Sequence, residues 1–189
     1  MKSPAKSKQS LKILGIDPGS IACGYGLIVA KGADAAYVAS GRINVPASYP
    51  LHQRLKQIYQ SLLEIIREHQ PDDIVVEKIF FAKGAKAALS LGHARGVVLL
   101  AAASENVSLH EFSALQVKKA VAGYGRAEKS QVQEMVKVIL KIRGTLSPDS
   151  ADALALALCH LNTLKFNNAI YGQGKSGAQS NGGPANIGC

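Results

Sequence analysis

Tryptophan is absent from this 189-residue sequence, and phenylalanine occurs only four times. Because 47% of the residues are nonetheless hydrophobic, the core must be built mainly from aliphatic side chains and alanine. Cysteine is also scarce, and Cys23, Cys159 and Cys189 lie far apart in the chain. This spacing gives neither a disulfide framework nor a zinc-binding cluster, and it favours a reducing, cytoplasmic location.

Acidic residues are missing from both ends of the chain. Residues 1–12 hold four lysines and no acid, and residues 165–189 hold two lysines and no acid. Without these six lysines the formal net charge of +9 falls to +3, because 16 basic residues then face 13 acidic ones. The charge is compatible with a nucleic acid partner but does not identify one.

Long apolar runs are missing as well. The run Val97–Ala103 is far too short to span a bilayer, and Arg95 lies just before it, so we expect no membrane partner. Residues 1–10 are polar and residues 166–189 are rich in glycine, asparagine and serine, so we expect both to be disordered. The remainder predicts one domain at residues 11–165.

The pattern of apolar residues and turn residues predicts ten elements of secondary structure. Three antiparallel strands come first and are followed by a helix. A strand–helix–strand crossover comes next, and three helices complete the domain. This order predicts an α/β fold with a five-stranded mixed sheet flanked by helices. The predicted strands cover 12–17, 24–30, 35–45, 74–77 and 107–112, and the predicted helices cover 51–69, 85–105, 113–121, 127–141 and 147–164.

Four acidic residues fall at the ends of these predicted elements. Asp17 ends the first strand, Glu77 ends the fourth strand, and Asp149 and Asp152 share one face of the last helix near its start. If the two strands are neighbours, the carboxylates can converge, and their mutual repulsion then requires cations. Oxygen ligands suit Mg²⁺, and two such ions can activate a water and stabilise the departing oxygen of a phosphodiester.

Each of these acids also has an ordinary explanation. Asp17 can shape the turn of its Asp-Pro-Gly sequence, Glu77 can be an exposed strand end, and Asp149 and Asp152 can be helix-start residues. The four acids together are harder to explain in these ordinary ways. The wholly apolar stretch ALALALCHL follows Asp152, so we expect the helix face that carries Asp152 to point inward. A buried carboxylate is costly without a partner, which favours a metal.

Basic and aromatic residues accompany the acids. Lys118 lies in the short helix after the fifth strand and Lys129 near the start of the next helix, where each can contact phosphate or stabilise charge at a reacting phosphoryl group. Lys119 is expected on a solvated helix face. Phe80 and Phe81 follow the fourth strand, and we expect one of them in the core and the other stacked on exposed bases.

Four stretches of the sequence carry a resemblance to a known family. They are ILGIDPGS…GYGLI (13–28), VEKIFFAKGAKAALSLGHARG (76–96), QVKKAVAGYGRAEKSQVQEMV (116–136) and DSADALALALCH (149–160). In their order and spacing they resemble the RuvC family of Holliday-junction resolvases, which belongs to the ribonuclease H-like superfamily. The resemblance covers roughly residues 12–164 and implies a crossover-junction endodeoxyribonuclease with that fold.

The resemblance also implies roles for individual residues. Asp17, Glu77, Asp149 and Asp152 match the family's acidic tetrad, which holds two Mg²⁺ ions per subunit for which Mn²⁺ can substitute. Some members carry histidine at the position of Asp149. Phe80 matches the aromatic residue that wedges into the junction, and the resemblance assigns DNA handling or catalysis to two basic residues, Lys118 and Lys129.

Partners are implied in the same way. The family is homodimeric through the helix that begins near Ala85, binds four-way junction DNA and nicks opposing strands in pairs. It leaves 5′-phosphate and 3′-hydroxyl ends, and it works with a branch-migration motor complex of the RuvA and RuvB type in DNA recombination and repair. We expect the same activity and partners here, in the cytoplasm.

Two other classes share part of this pattern. An actin-like or sugar-kinase-like ATPase also begins with a strand that delivers an aspartate to a glycine turn, but it needs two ribonuclease H-like halves and the predicted domain supplies one. A catalytically silent junction-binding dimer is disfavoured because all four acids are present.

Overall fold

The computed structural model describes residues 10–32, 34–78 and 84–171, with the backbone alone at residues 86 and 171. The described residues form five strands and five helices in the predicted order. The strands are β1 (Lys12–Asp17), β2 (Ala22–Lys31), β3 (Asp34–Asn44), β4 (Asp73–Glu77) and β5 (Ser108–Phe112). The helices are α1 (Leu51–His69), α2 (Ala85–Ser104), α3 (Ala114–Ala122), α4 (Lys129–Leu140) and α5 (Pro148–Tyr171).

The strands form one mixed sheet in the order β3-β2-β1-β4-β5. The β1–β2 and β2–β3 pairs are antiparallel, whereas β1–β4 and β4–β5 are parallel. The five-stranded mixed sheet flanked by helices is therefore confirmed. Because β1 and β4 are parallel neighbours, their carboxyl ends meet at the same edge of the sheet.

Helices cover both faces of the sheet, and each covered face has its own hydrophobic core. Ile13 and Val75 pack on the face of α3, α4 and α5, whereas Leu14 and Ile74 pack on the face of α1 and α2. Side chains alternate along a strand, so Asp17 and Glu77 share the α5 face with Ile13 and Val75. This alternation decides which helix meets the two acids.

Two glycines bring the backbone of α5 against the sheet. A Cβ atom at Gly15 of β1 would overlap the carbonyl oxygen of Ala153, and one at Gly24 of β2 would overlap the carbonyl oxygen of Asp149. Neither glycine has a positive φ, so close approach rather than turn geometry explains them. The start of α5 is thereby held beside the ends of β1 and β2.

Side-chain caps fix where the last helices begin. Ser113 and Gln116 form a capping box at α3, and Ser147 Oγ accepts a hydrogen bond from the Ser150 N–H at 3.2 Å, as the sequence predicts. Helix α4 begins two residues later than predicted, because Glu128 is its N-cap residue. The Glu128 N–H donates a hydrogen bond to Gln131 Oε1 at 2.8 Å. Helix α5 continues past its expected end to Tyr171.

Helix α2 is long and apolar enough to cross a membrane by length and composition. The window Ala87–Ser104 has a mean hydropathy of 1.4, and 22% of it is buried within the chain. One such helix is weak support for a membrane span, because core helices of globular proteins pass the same test. Within this window the Arg95 side chain forms an ion pair with Glu111 of β5.

Candidate active site

Two of the predicted acids end neighbouring strands. Ile16 of β1 pairs with Val76 of β4, and Asp17 and Glu77 each follow as the last residue of their strand. Their side chains are intermediate in exposure. The parallel pairing and the shared face therefore place both carboxylates together on the α5 side of the sheet.

The first turns of α5 supply the other two acids. Asp152 lines a cavity of about 250 Å³ together with Asp17 and Glu77. Asp149, one turn earlier, does not line this cavity but lies against Gly24 of β2. The structure thus brings three of the acids to one cavity and sets the fourth at its margin.

Basic side chains contact these acids directly. Lys129, the first residue of α4, forms an ion pair with Asp152, and Arg42 Nε of β3 lies 2.7 Å from Asp149 Oδ2. Lys118 of α3 lines the same cavity as Asp17, Glu77 and Asp152. Arg42 is not identifiable from the sequence, because only the pairing of β3 with β2, which sets Arg42 opposite Gly24, brings it to Asp149.

The ionisation of these groups reflects the crowding of negative charge. Burial, followed by the charges of Asp152, Asp149 and Glu77, raises the pKa of Asp17 to about 7, although Lys129 acts in the opposite direction. The pKa of Glu77 is also raised, by burial and then by the charge of Asp152. The hydrogen bond to Asp152 raises the pKa of Lys129. A cation bound among these carboxylates would offset their mutual repulsion and favour their ionised forms.

The donor set fits a hard divalent metal. All four predicted ligands offer carboxylate oxygens, which Mg²⁺ and Mn²⁺ prefer to nitrogen or sulfur. The cavity wall also contains three apolar side chains from the helices, Val117 of α3, Val132 of α4 and Leu156 of α5. Carboxylate oxygens gathered at one cavity are the donors that the metal ions of phosphodiester hydrolysis require.

The remaining predicted residues are placed differently. Lys119 is exposed, in agreement with a solvated face. Phe80 and Phe81 lie outside the described residues, so the choice of the junction-facing aromatic stays a prediction.

Comparison with known proteins identifies the family. A family model described as crossover junction endodeoxyribonuclease RuvC matches residues 13–160. This chain belongs to the RuvC family. A crossover junction endodeoxyribonuclease RuvC from Shewanella piezotolerans is 48% identical over 164 residues, which cover 87% of this chain and 94% of that protein. The RuvC of Bordetella avium is 48% identical over 153 residues, which cover 81% of this chain and 84% of that protein.

Solved structures give the same result for the fold. T. thermophilus RuvC in complex with a Holliday junction substrate matches with a TM-score of 0.79 at 32% identity, over 83% of this chain and 96% of that one. The yeast mitochondrial Holliday junction resolvase Ydc2 matches with a TM-score of 0.62 at 14% identity, over 85% of each chain. The predicted family and the predicted ribonuclease H-like fold are therefore confirmed.

Proposed function

We propose that this chain resolves four-way DNA junctions in recombination and repair, by nicking two opposing strands through metal-dependent hydrolysis. The observation that carries the proposal is the meeting of Asp17, Glu77 and Asp152 in one cavity of a RuvC-family fold. The match to a RuvC structure that contains a Holliday junction supports the substrate.

The four acids are the proposed ligands of two Mg²⁺ ions, for which Mn²⁺ can substitute. When bound, such ions activate a water molecule and stabilise charge on the scissile phosphate. Attack in line on phosphorus breaks the bond to the 3′ oxygen, which leaves a 3′-hydroxyl and a 5′-phosphate. The chain's own carboxylates would hold the ions in position, and the ion pair with Arg42 fixes the position of the Asp149 carboxylate.

Two lysines have distinct proposed roles around the phosphate. Lys129 contacts Asp152 and can turn its ammonium group to the reacting phosphoryl group, where it offsets the developing negative charge. Lys118 lines the wall of the same cavity, and its proposed role is to bind a phosphate oxygen of the DNA. Phe80 is proposed to wedge into the junction.

Helix α2 is the proposed contact between two subunits of a homodimer. Leu89 and Leu100 are exposed large hydrophobic side chains. Added Cβ atoms at Gly92 and Gly96 would meet nothing within 4 Å, so these small residues leave a face of the helix open to a partner. A two-fold dimer would present two active sites and so explain paired cleavage. A motor complex of the RuvA and RuvB type is the proposed partner for branch migration.

The test is cleavage of a synthetic mobile four-way junction by the purified full chain. We expect symmetric nicks on the junction in Mg²⁺, ends that ligase seals, and no nicks in a chelator. Linear duplex of the same sequence is the matched substrate control. Equal cleavage of duplex and junction, or metal-independent cleavage, would contradict the proposal.

A further inference from the structure

A second polar cluster lies at the other end of β4. Asp73 is the first residue of β4, four positions before Glu77, and both side chains lie on the α5 face of the sheet. His110 of β5 pairs with Val75 in the ladder, and His160 belongs to α5. The cluster shares strand β4 with the proposed active site but none of its side chains.

Both imidazoles face one carboxylate. His160 Nε2 lies 2.9 Å from Asp73 Oδ2, and His110 Nε2 lies 3.2 Å from Asp73 Oδ1. The two rings are stacked, with centroids 4.1 Å apart and an interplanar angle of 28°. One ligand atom from each residue lies within 4.8 Å of the other two. In residues 10–32, 34–78 and 84–171, this is the one group of three or more His, Cys, Asp or Glu side chains that meets so closely.

We propose that Asp73, His110 and His160 bind one transition-metal ion of the Zn²⁺ class. Two imidazole nitrogens and one carboxylate are ligands typical of Zn²⁺, whereas Mg²⁺ prefers oxygen donors alone. Bonds of about 2.0–2.2 Å place neighbouring ligand atoms of a tetrahedral site roughly 3.3–3.6 Å apart. The nitrogen–oxygen separations of 2.9 and 3.2 Å are already close to that range.

Burial and access both suit an ion at this position. The His160 side chain is 3% exposed, and burial lowers its pKa, which favours the neutral ring that a metal ligand requires. The His110 side chain is 39% exposed, which gives an ion a path from solvent and leaves room for a water as the fourth ligand. Binding would replace the two hydrogen bonds to Asp73, and it requires the tautomer of each ring that carries its proton on Nδ1 and leaves the Nε2 lone pair free for the ion.

The consequence of the site is a bridge between three elements. An ion held by Asp73, His110 and His160 would tie the edge strand β5 and its neighbour β4 to α5. Phe112 also packs against His160, with ring centroids 5.8 Å apart, so an apolar side chain flanks the cluster. A ligand set of this kind stabilises the folded state by binding it in preference to the unfolded chain.

The test is a calorimetric Zn²⁺ titration of the full chain, carried out after treatment with a chelator. The Asp17→Asn/Asp152→Asn double variant is used as background, because it disables the proposed active site as a competing site. We expect one equivalent of Zn²⁺ to bind in this background, and Co²⁺ in its place to give the visible absorption of a nitrogen-ligated ion. Adding His110→Gln should weaken Zn²⁺ binding by about tenfold or more.

Adding His52→Gln instead is the matched control, because His52 is an exposed histidine of α1, and Zn²⁺ binding should not change. A background variant that binds no Zn²⁺, or binding that His110→Gln leaves intact, would overturn the proposal and reduce the cluster to a hydrogen-bonded triad. If the His110→Gln variant does not fold by circular dichroism, Asp73→Asn replaces it under the same expectations. In the otherwise unchanged chain, His110→Gln should leave Mg²⁺-dependent junction cleavage within about twofold, which separates this site from the proposed function.

Discussion

Burial and the neighbouring carboxylates raise the pKa of Asp17 to about 7 in the folded protein. In the unfolded chain an aspartic acid loses its proton near pH 4. The folded state therefore binds more protons than the unfolded state between these values, and this residue costs increasing stability as the pH rises from about 4 to about 7. Above that range the cost is complete, and a bound divalent cation would relieve it.

The Asp17→Asn variant should lose junction cleavage while retaining junction binding. In a chelator at pH 8 it should be more stable than the parent by roughly 1–3 kcal/mol, since one pKa unit corresponds to about 1.4 kcal/mol. This difference should disappear toward pH 4, as measured by urea unfolding across the pH range. Asp34→Asn, at an exposed position of β3, is the control and should retain junction cleavage. Full cleavage activity in Asp17→Asn would refute the proposed metal-ligand role.

Lys129→Ala should lower turnover on the junction by on the order of 10²-fold, because it removes the cation proposed to offset charge at the phosphate. Its stability should change by less than about 1 kcal/mol, since the side chain is 64% exposed in its ion pair with Asp152. Single-turnover cleavage and thermal unfolding measure the two effects. Lys119→Ala, on the exposed face of α3, should change neither. An unfolded Lys129→Ala variant would show that the lysine is structural.

At the scale of the elements, the position of α5 decides whether the acids meet. The helix is held against the sheet where β1 and β2 carry Gly15 and Gly24. Because an added Cβ at Gly24 would overlap the backbone of Asp149, even one methyl group must push the start of α5 away. The close backbone contact at these glycines therefore also determines where Asp149 and Asp152, two of the proposed metal ligands, lie.

Gly24→Ala should therefore reduce cleavage by more than tenfold and also destabilise the fold, by roughly 1–3 kcal/mol for overpacking of a tight contact. Gly144→Ala is the matched control, because a Cβ there would meet nothing within 4 Å and its φ is not positive. Mg²⁺ affinity measured on both variants tests the displacement directly. Unchanged Mg²⁺ affinity and activity in Gly24→Ala would show that the start of α5 adapts without moving its acids.

Local pattern predicted most of the elements and the acids at their ends. Helix α1 and strand β1 have the predicted bounds because their apolar periodicity stops at clear turn residues. The acids were identifiable because each stands at a predicted boundary. Arg42, and the contacts of His160 with Asp73 and His110, were not identifiable from the sequence. These contacts join residues far apart in the chain and depend on the register of the sheet. The sequence places such residues on an element, but only the packed fold shows what each one meets.

At the scale of the whole molecule, α2 presents an apolar face that residues 10–32, 34–78 and 84–171 do not cover. Leu89, Gly92, Gly96 and Leu100 recur at helical spacing, and both leucines are more than half exposed. A face of this kind is typical of an interface between subunits. A second copy of the chain, related by two-fold symmetry, is the proposed occupant of this face, since a two-fold dimer would explain the proposed paired cleavage.

Leu100→Glu should convert a dimer into monomers, because it would bury a charge in the proposed interface. Light scattering coupled to gel filtration measures the mass. Val138→Glu, at an exposed apolar position of α4, is the control and should leave the dimer intact. A monomeric parent chain at micromolar concentration, or a Leu100→Glu variant of unchanged mass, would contradict the assignment of α2.

Strand β4 also sets a distance between two centres of charge. Asp73 and Glu77 lie four residues apart, which corresponds to roughly 13 Å along a strand, beyond the screening length of about 8 Å at physiological salt. The groups that shift Asp17 and Glu77 do not include Asp73, and those that shift His160 do not include the four acids. The two ends of β4 thus act as separate centres of charge, so a charge change engineered at one end should have little effect on the proton affinities at the other.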